Sequence, residues 1–123
     1  MSFADIAVAA FKTARGGPFG ATITYRRGTD EVELTVLAGQ SDGQMAGGDG
    51  FSTVFRTQDF TLLASELKPN GNTIVKPQRG DEIDWTDEGT KTTFVVNHPD
   101  PQQPPYRKAD PAGRMLRVHA VQK

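Results

Sequence analysis

The sequence predicts a mainly β fold, a small antiparallel β-barrel or sandwich with a short N-terminal helix and long Gly-rich and Pro-rich loops. Three observations predict it. Two runs, 21–26 and 31–38, alternate polar and apolar residues on either side of the turn Arg27-Gly28-Thr29-Asp30. Pro77 and Gly80 bracket a second turn, after which Ile83 and Trp85 alternate with Glu82, Asp84 and Thr86. A closing run from Met115 to Val121 follows a proline-rich detour.

The bulk properties set limits first. The 123 residues fit one domain, read as residues 1–123 with a helix at 1–15, a β-barrel at 20–121, a flexible loop at 39–50 and a Pro-rich arm at 98–112. Hydrophobic residues make up 36%, enough for one modest core that partners can complete. A net charge of −1 offers no global basic field for nucleic acid. The absence of cysteine excludes disulfides and a cysteine zinc site. No basic segment followed by an apolar run opens the chain, and no apolar run approaches the ~18 residues of a membrane span. A soluble intracellular product without a membrane partner is therefore expected.

In chain order, residues 2–14 read as a helix. Ser2 and Asp5 resemble a capping box, and Phe3, Ile6, Ala7, Ala10 and Ala14 share one face, with Val8 and Phe11 off it. Gly16-Gly17-Pro18 stops it. The helix is expected over one end of the barrel, or docked on another subunit. In the second strand Val32, Leu34 and Val36 point inward. Gly39 to Gly50 holds five glycines and one large apolar residue, Met45, so it is read as a long loop that orders on contact with a partner. It lacks the helix N-terminus and Lys-Ser/Thr of a phosphate cradle. Runs 51–57 and 60–63 read as extended, as one bent strand, and 65–72 as a short helical turn and loop. Trp85, the only tryptophan, is expected to bury more area than any other side chain. Asp87-Glu88-Gly89 turns the chain, and 91–97 returns with Phe94 and Val96 on one face. Five prolines between 99 and 111 make that stretch a surface arm centred on Tyr106 and Arg107.

Nothing in these residues marks a catalytic centre, and no cofactor or metal is expected. Arg79-Gly80-Asp81 matches an adhesion tripeptide, but the turn itself demands glycine and suits charged flanks. His98 and His119 form no close sequence pair, and His119 alternates outward with Arg117. Asp42 and Asp49 lack calcium-loop spacing. Ser41 and Ser52 lack a nucleophile elbow. Asp81, Glu82, Asp84, Asp87 and Glu88 read as a solvated strand face rather than a glycosidase pair. Phe51, Phe55 and Phe60 read as core rather than as a stacking platform for single strands. The charges are nonetheless segregated. Residues 81–88 are acidic, whereas 107–123 carry Arg107, Lys108, Arg114, Arg117 and Lys123 against Asp110. Such a split suits either a head-to-tail contact between subunits or a face toward DNA phosphates.

In this order of elements the chain resembles the head–tail joining proteins of tailed bacteriophages, also called head completion, stopper or connector proteins. The resemblance rests on the helix and first hairpin, the glycine loop, and the run Arg56-Thr57-Gln58-Asp59-Phe60-Thr61-Leu62-Leu63-Ala64-Ser65-Glu66-Leu67. Pro77-Gln78-Arg79-Gly80-Asp81-Glu82-Ile83, Tyr106-Arg107-Lys108-Ala109-Asp110-Pro111 and Arg114-Met115-Leu116-Arg117-Val118-His119 complete it. It implies a structural virion protein of the phage neck, made in the host cytoplasm and forming a ring, six- or twelve-fold. The ring would lie between the portal or adaptor protein and the tail terminator or tail tube protein. It would close the DNA-filled head, touch the packaged DNA end, and offer the tail its attachment site.

Under that resemblance Tyr106, Arg107, Lys108, Arg114 and Arg117, with Asp84, Asp87 and Glu88, are expected at subunit or portal contacts. Gly43, Gln44, Met45, Gly47, Gly48 and Asp49 are expected to face the channel or the tail. Pro77, Gly80, Ile83 and Trp85 are core or turn residues. A tail-terminator ring, or a free-standing β-barrel that binds a ligand or nucleic acid, are the alternatives.

Overall fold

The computed structural model describes residues 3–46 and 52–123. The first helix, α1, spans Phe3–Arg15. Seven strands follow: β1 (Gly20–Arg27), β2 (Asp30–Ala46), β3 (Ser52–Leu63), β4 (Glu82–Asp87), β5 (Thr90–Val96), β6 (Tyr106–Lys108) and β7 (Met115–Gln122). They pair antiparallel in the order β3-β2-β1-β4-β5-β7, and a β3–β7 ladder closes the sheet into a six-stranded barrel. β6 takes over the edge of β7 where β5 leaves it. Val96 pairs with Ala120, and Tyr106 then pairs with Val118. The Pro-rich stretch is the detour between those two pairings.

Strand period explains the core. Ile23 and Tyr25 of β1, Leu34 and Val36 of β2, Phe60 and Leu62 of β3, and Ile83 of β4 all point inward and are buried. Leu67, just past a 3-10 turn at Ala64–Glu66, is fully buried with them. The tight hairpin turns match their residues. Gly28 takes φ 61° between β1 and β2, while Glu88 and Gly89 take φ 50° and 80° between β4 and β5.

Three expectations need correction. The helix buries Phe11, not the face of Ile6, Ala10 and Ala14; Phe11 is 4% exposed and Ile6 53%. One phenylalanine buries more area than the alanines opposite, and Arg15 fixes the rotation by bridging Glu66 at 2.6 Å. Ser2 of the expected cap lies outside the described residues. Trp85 is only partly buried; it packs against the core 5.8 Å from the Phe60 ring, while Tyr25 and Phe60 are the largest fully buried side chains.

The third correction is the largest. Residues 39–46 are not a loop but the continuation of β2, laddered with β3 from Gly39↔Asp59 to Ala46↔Ser52. Every glycine there still offers a full set of backbone ladder groups. At Gly43 a Cβ would stand 2.4 Å from the tip of the Phe55 ring lying across the strand pair, so a larger residue there would displace that ring. Gly47, Gly48, Asp49 and Gly50 lie outside the described residues, as do the side chains of Gln44 and Met45. β2 loses its β1 partner after Leu37, and β3 loses its β7 partner before Gln58. Beyond those points the two strands run on as a ribbon. The inward-facing positions change with it, from Val36 and Ala38 to Gln40 and Asp42.

Helix and barrel meet at one other glycine. A Cβ on Gly20 would fall 1.8 Å from the Arg15 carbonyl oxygen, a main-chain collision that no rotamer relieves. Gly20→Ala is expected to cost about 2–3 kcal/mol and lower the thermal midpoint by roughly 10 °C. An unchanged midpoint would show that the helix end does not rest on β1.

Candidate interaction site

The ribbon is fastened where it leaves the barrel. Asp59, on the outer face of β3, is 1% exposed and carries four side-chain partners. Arg117 Nε donates to Oδ2 at 2.6 Å, Thr57 Oγ1 donates to Oδ1 at 2.6 Å, and the Ser41 hydroxyl donates to Oδ2. His119 Nδ1 lies 2.9 Å from Oδ1. Arg117 Nη2 also reaches the Gln40 carbonyl and Ser41 Oγ, both at 3.1 Å. Three strands are thus tied through one carboxylate. Burial alone would raise the Asp59 pKa, but hydrogen bonds from His119, Ser41, Thr57 and Arg117 outweigh it and hold the carboxyl well below its usual range.

Serine, histidine and aspartate meet here, yet not in a nucleophilic arrangement. Ser41 and His119 both bond the carboxylate instead of each other, and the Ser41 oxygen already accepts from Arg117. The cluster holds strands together rather than activating a hydroxyl.

The Pro-rich stretch lies over this outer face. His98 stacks edge-on against Phe55 at 5.0 Å and against His119 at 5.2 Å. Arg79 staples the stretch: Nη1 donates to Asn97 Oδ1 at 2.5 Å, and Nη2 reaches the Pro101 carbonyl at 3.4 Å and the Gln103 carbonyl. The adhesion-like tripeptide is therefore consumed internally. Asp81 is buried too, bonded by Tyr25 and by Arg27 Nη2 at 2.8 Å, so it is not part of a solvated face. Ser41, Phe55, His98, Gln103, Pro104 and Arg107 line a 250 Å³ recess beside the ribbon. Burial and then neighbouring His119 hold the His98 pKa below 6.5, and both effects disfavour an added proton.

A pH dependence follows from these shifts. Asp59 and Asp81 have depressed carboxyl pKa values, so the stability they supply is present above about 4 and lost as pH falls toward their folded values. His98, also depressed, adds a shallower loss that starts as pH drops below 6.5. The urea midpoint is expected to be flat from pH 8 to 7, to decline gently to pH 5, and to fall steeply below pH 4. A midpoint independent of pH down to 3 would contradict the cluster.

The expected contact residues divide. Asp84 is paired within the subunit to Arg26 and bonded by Thr93 at 2.8 Å. Arg117 is committed to Asp59, and Arg114 to Asp5. Asp87, Glu88, Arg107 and Lys108 remain exposed, with no ion pair among the described residues. Tyr106 is half-buried against the core. Phe60 is core, Phe55 covers the outer face, and Phe51 lies outside the described residues. Pro77 is buried, and Gly80 takes φ 93° in a turn closed by Asp81 N to the Gln78 carbonyl at 3.1 Å. Sequence reasoning missed Asp59. Its signal was the one acidic residue of β3, next to the inward Phe60, matched by the outward pair Arg117 and His119.

A closed barrel that continues into a ribbon braced at its base, with edges unpaired among the described residues, suits a structural assembly part. The family comparison agrees. The model for phage head-tail joining proteins matches residues 1–123, and the chain belongs to that family, whose role is structural, at the neck of the virion. No curated protein matches the chain. No described helix is long and apolar enough to cross a membrane.

Proposed function

We propose that the protein forms a closed ring of identical subunits at the head–tail junction, beneath the portal or its adaptor. There it retains the packaged DNA and gives the tail terminator or tail tube its attachment face. The observation that carries this reading is the ribbon. Its β2 edge from Gly39 to Ala46 and its β3 edge from Ser52 to Thr57 have no strand partner among the described residues. Unpaired edges of this length invite pairing with another chain. β2 and β3 run antiparallel, so in a ring whose ribbons all point one way, β3 of one copy lies antiparallel to β2 of the next. The contact joins two different surfaces, and such heterologous contacts close into rings. Six- or twelve-fold closure is proposed, with the ribbon directed to the channel or the tail.

Particle imaging combined with subunit counting tests this reading. Heads made without the protein are expected to lack neck density and to leak DNA. Adding the full-length chain is expected to restore a ring of uniform copy number. Density within the tail tube instead of at the neck would transfer the protein to the tail-terminator reading.

A further inference from the structure

The two flanks of the ribbon are different and complementary. On the β2 side, Phe19 is 75% exposed at the root of the free edge, where its carbonyl accepts from Ala38 N at 3.3 Å. Pro18, Ala38 and Trp85 extend this apolar surface, and Asp87 borders it. Glu88 follows Asp87 in the same turn. Together Phe19, Pro18, Ala38 and Trp85 form a contiguous apolar patch at the root of the free edge, the kind of surface that marks an interaction site. On the β3 side lies the 250 Å³ recess walled by Phe55, His98 and Pro104 and bordered by Arg107. Lys108 follows Arg107 on β6. One flank thus offers an aromatic side chain beside two exposed acids, the other an aromatic recess beside two exposed bases, none of the four in an ion pair among the described residues.

We propose that Phe19 of one subunit inserts into the Phe55–His98–Pro104 recess of the next copy of this chain, with Asp87 and Glu88 set against the neighbour's Arg107 and Lys108. The inference rests on the ring reading and names its side contact. Two observations select a second copy as the occupant. The charges of the two flanks are opposite, and the free ribbon edges bring unlike flanks together in any head-to-tail arrangement. The apolar insertion supplies affinity, and the charges supply register and exclude the reversed orientation.

The chain has no cysteine, so introduced thiols report one contact. The full-length chain carrying both Phe19→Cys and Pro104→Cys is assembled into particles and oxidised. A ladder of cross-linked multimers is expected, ending at the ring number, with neither single variant giving more than a dimer. Separately, Arg107→Glu and Glu88→Lys are each expected to reduce incorporation into particles by about tenfold or more, because like charges then meet at every subunit contact. The double variant is expected to recover most of the loss. Melting curves matching the parent establish that each variant folds. A ring of normal copy number with no cross-link and no rescue would overturn this contact while leaving the ring standing. Absence of any ring in particles that retain the parent protein would overturn both.

Discussion

Asp59→Ala is expected to destabilise the protein by about 3 kcal/mol. Removing one partner of a buried ion pair costs about 3–5 kcal/mol, because the charge left behind has lost both its solvent and its partner. The lower end applies because Arg117 is 30% exposed and recovers some hydration. Ser41, Thr57 and His119 lose an acceptor at the same time. Asp59→Asn preserves shape and some hydrogen bonding but removes the charge, so its cost is expected to lie between the parent and the alanine variant. Urea unfolding at pH 7 measures both. The acid-induced loss below pH 4 is expected to shrink in each variant, since one of the two buried carboxyls that titrate there is gone and Asp81 remains. A cost under about 0.5 kcal/mol, within the range of ordinary surface substitutions, would mean that the ribbon base is held by something else.

Deleting Gly43–Gly48 is expected to leave the barrel folded and to yield heads that carry no tails. The cut removes β2 residues 43–46, the part of its ladder with β3 farthest from the barrel. It spares the Asp59 cluster and every ladder that closes the barrel, including Gln58↔Ala120 and Phe94↔Gln122. Near-parental melting combined with infectivity reduced to background is the expected pair of results. Infectious particles from this variant would remove the ribbon from tail attachment. An unfolded variant would show that the ribbon supports the barrel, contrary to its position outside the core.

The helix stop at Gly16-Gly17-Pro18, the two tight hairpins and the inward residues Ile23, Leu34, Val36, Ile83, Phe94 and Val96 were all legible, because strand period and turn chemistry are local signals. The ribbon was not. Its strand is built from glycine, glutamine, serine and aspartate, which resemble loop composition and carry no alternation. Its order derives from backbone ladders and from Phe55 lying over Gly43, neither of which is local to 39–46. The Asp59 cluster was hidden for the same reason. Its β7 partners, Arg117 and His119, are about 60 positions away, and only barrel closure brings β7 beside β3. The charge split was readable in outline. Which charges are already neutralised within the subunit was not, and Asp84, Arg114 and Arg117 proved to be internally paired.

A map of the assembled neck, resolved well enough to trace strands, decides whether the ribbon edges pair between copies. The expected result is a symmetric ring in which β3 residues 52–57 of each copy hydrogen-bond to β2 residues 39–46 of the next, forming one continuous sheet. Ribbons that stand apart, with both edges open to solvent in the assembled particle, would contradict it.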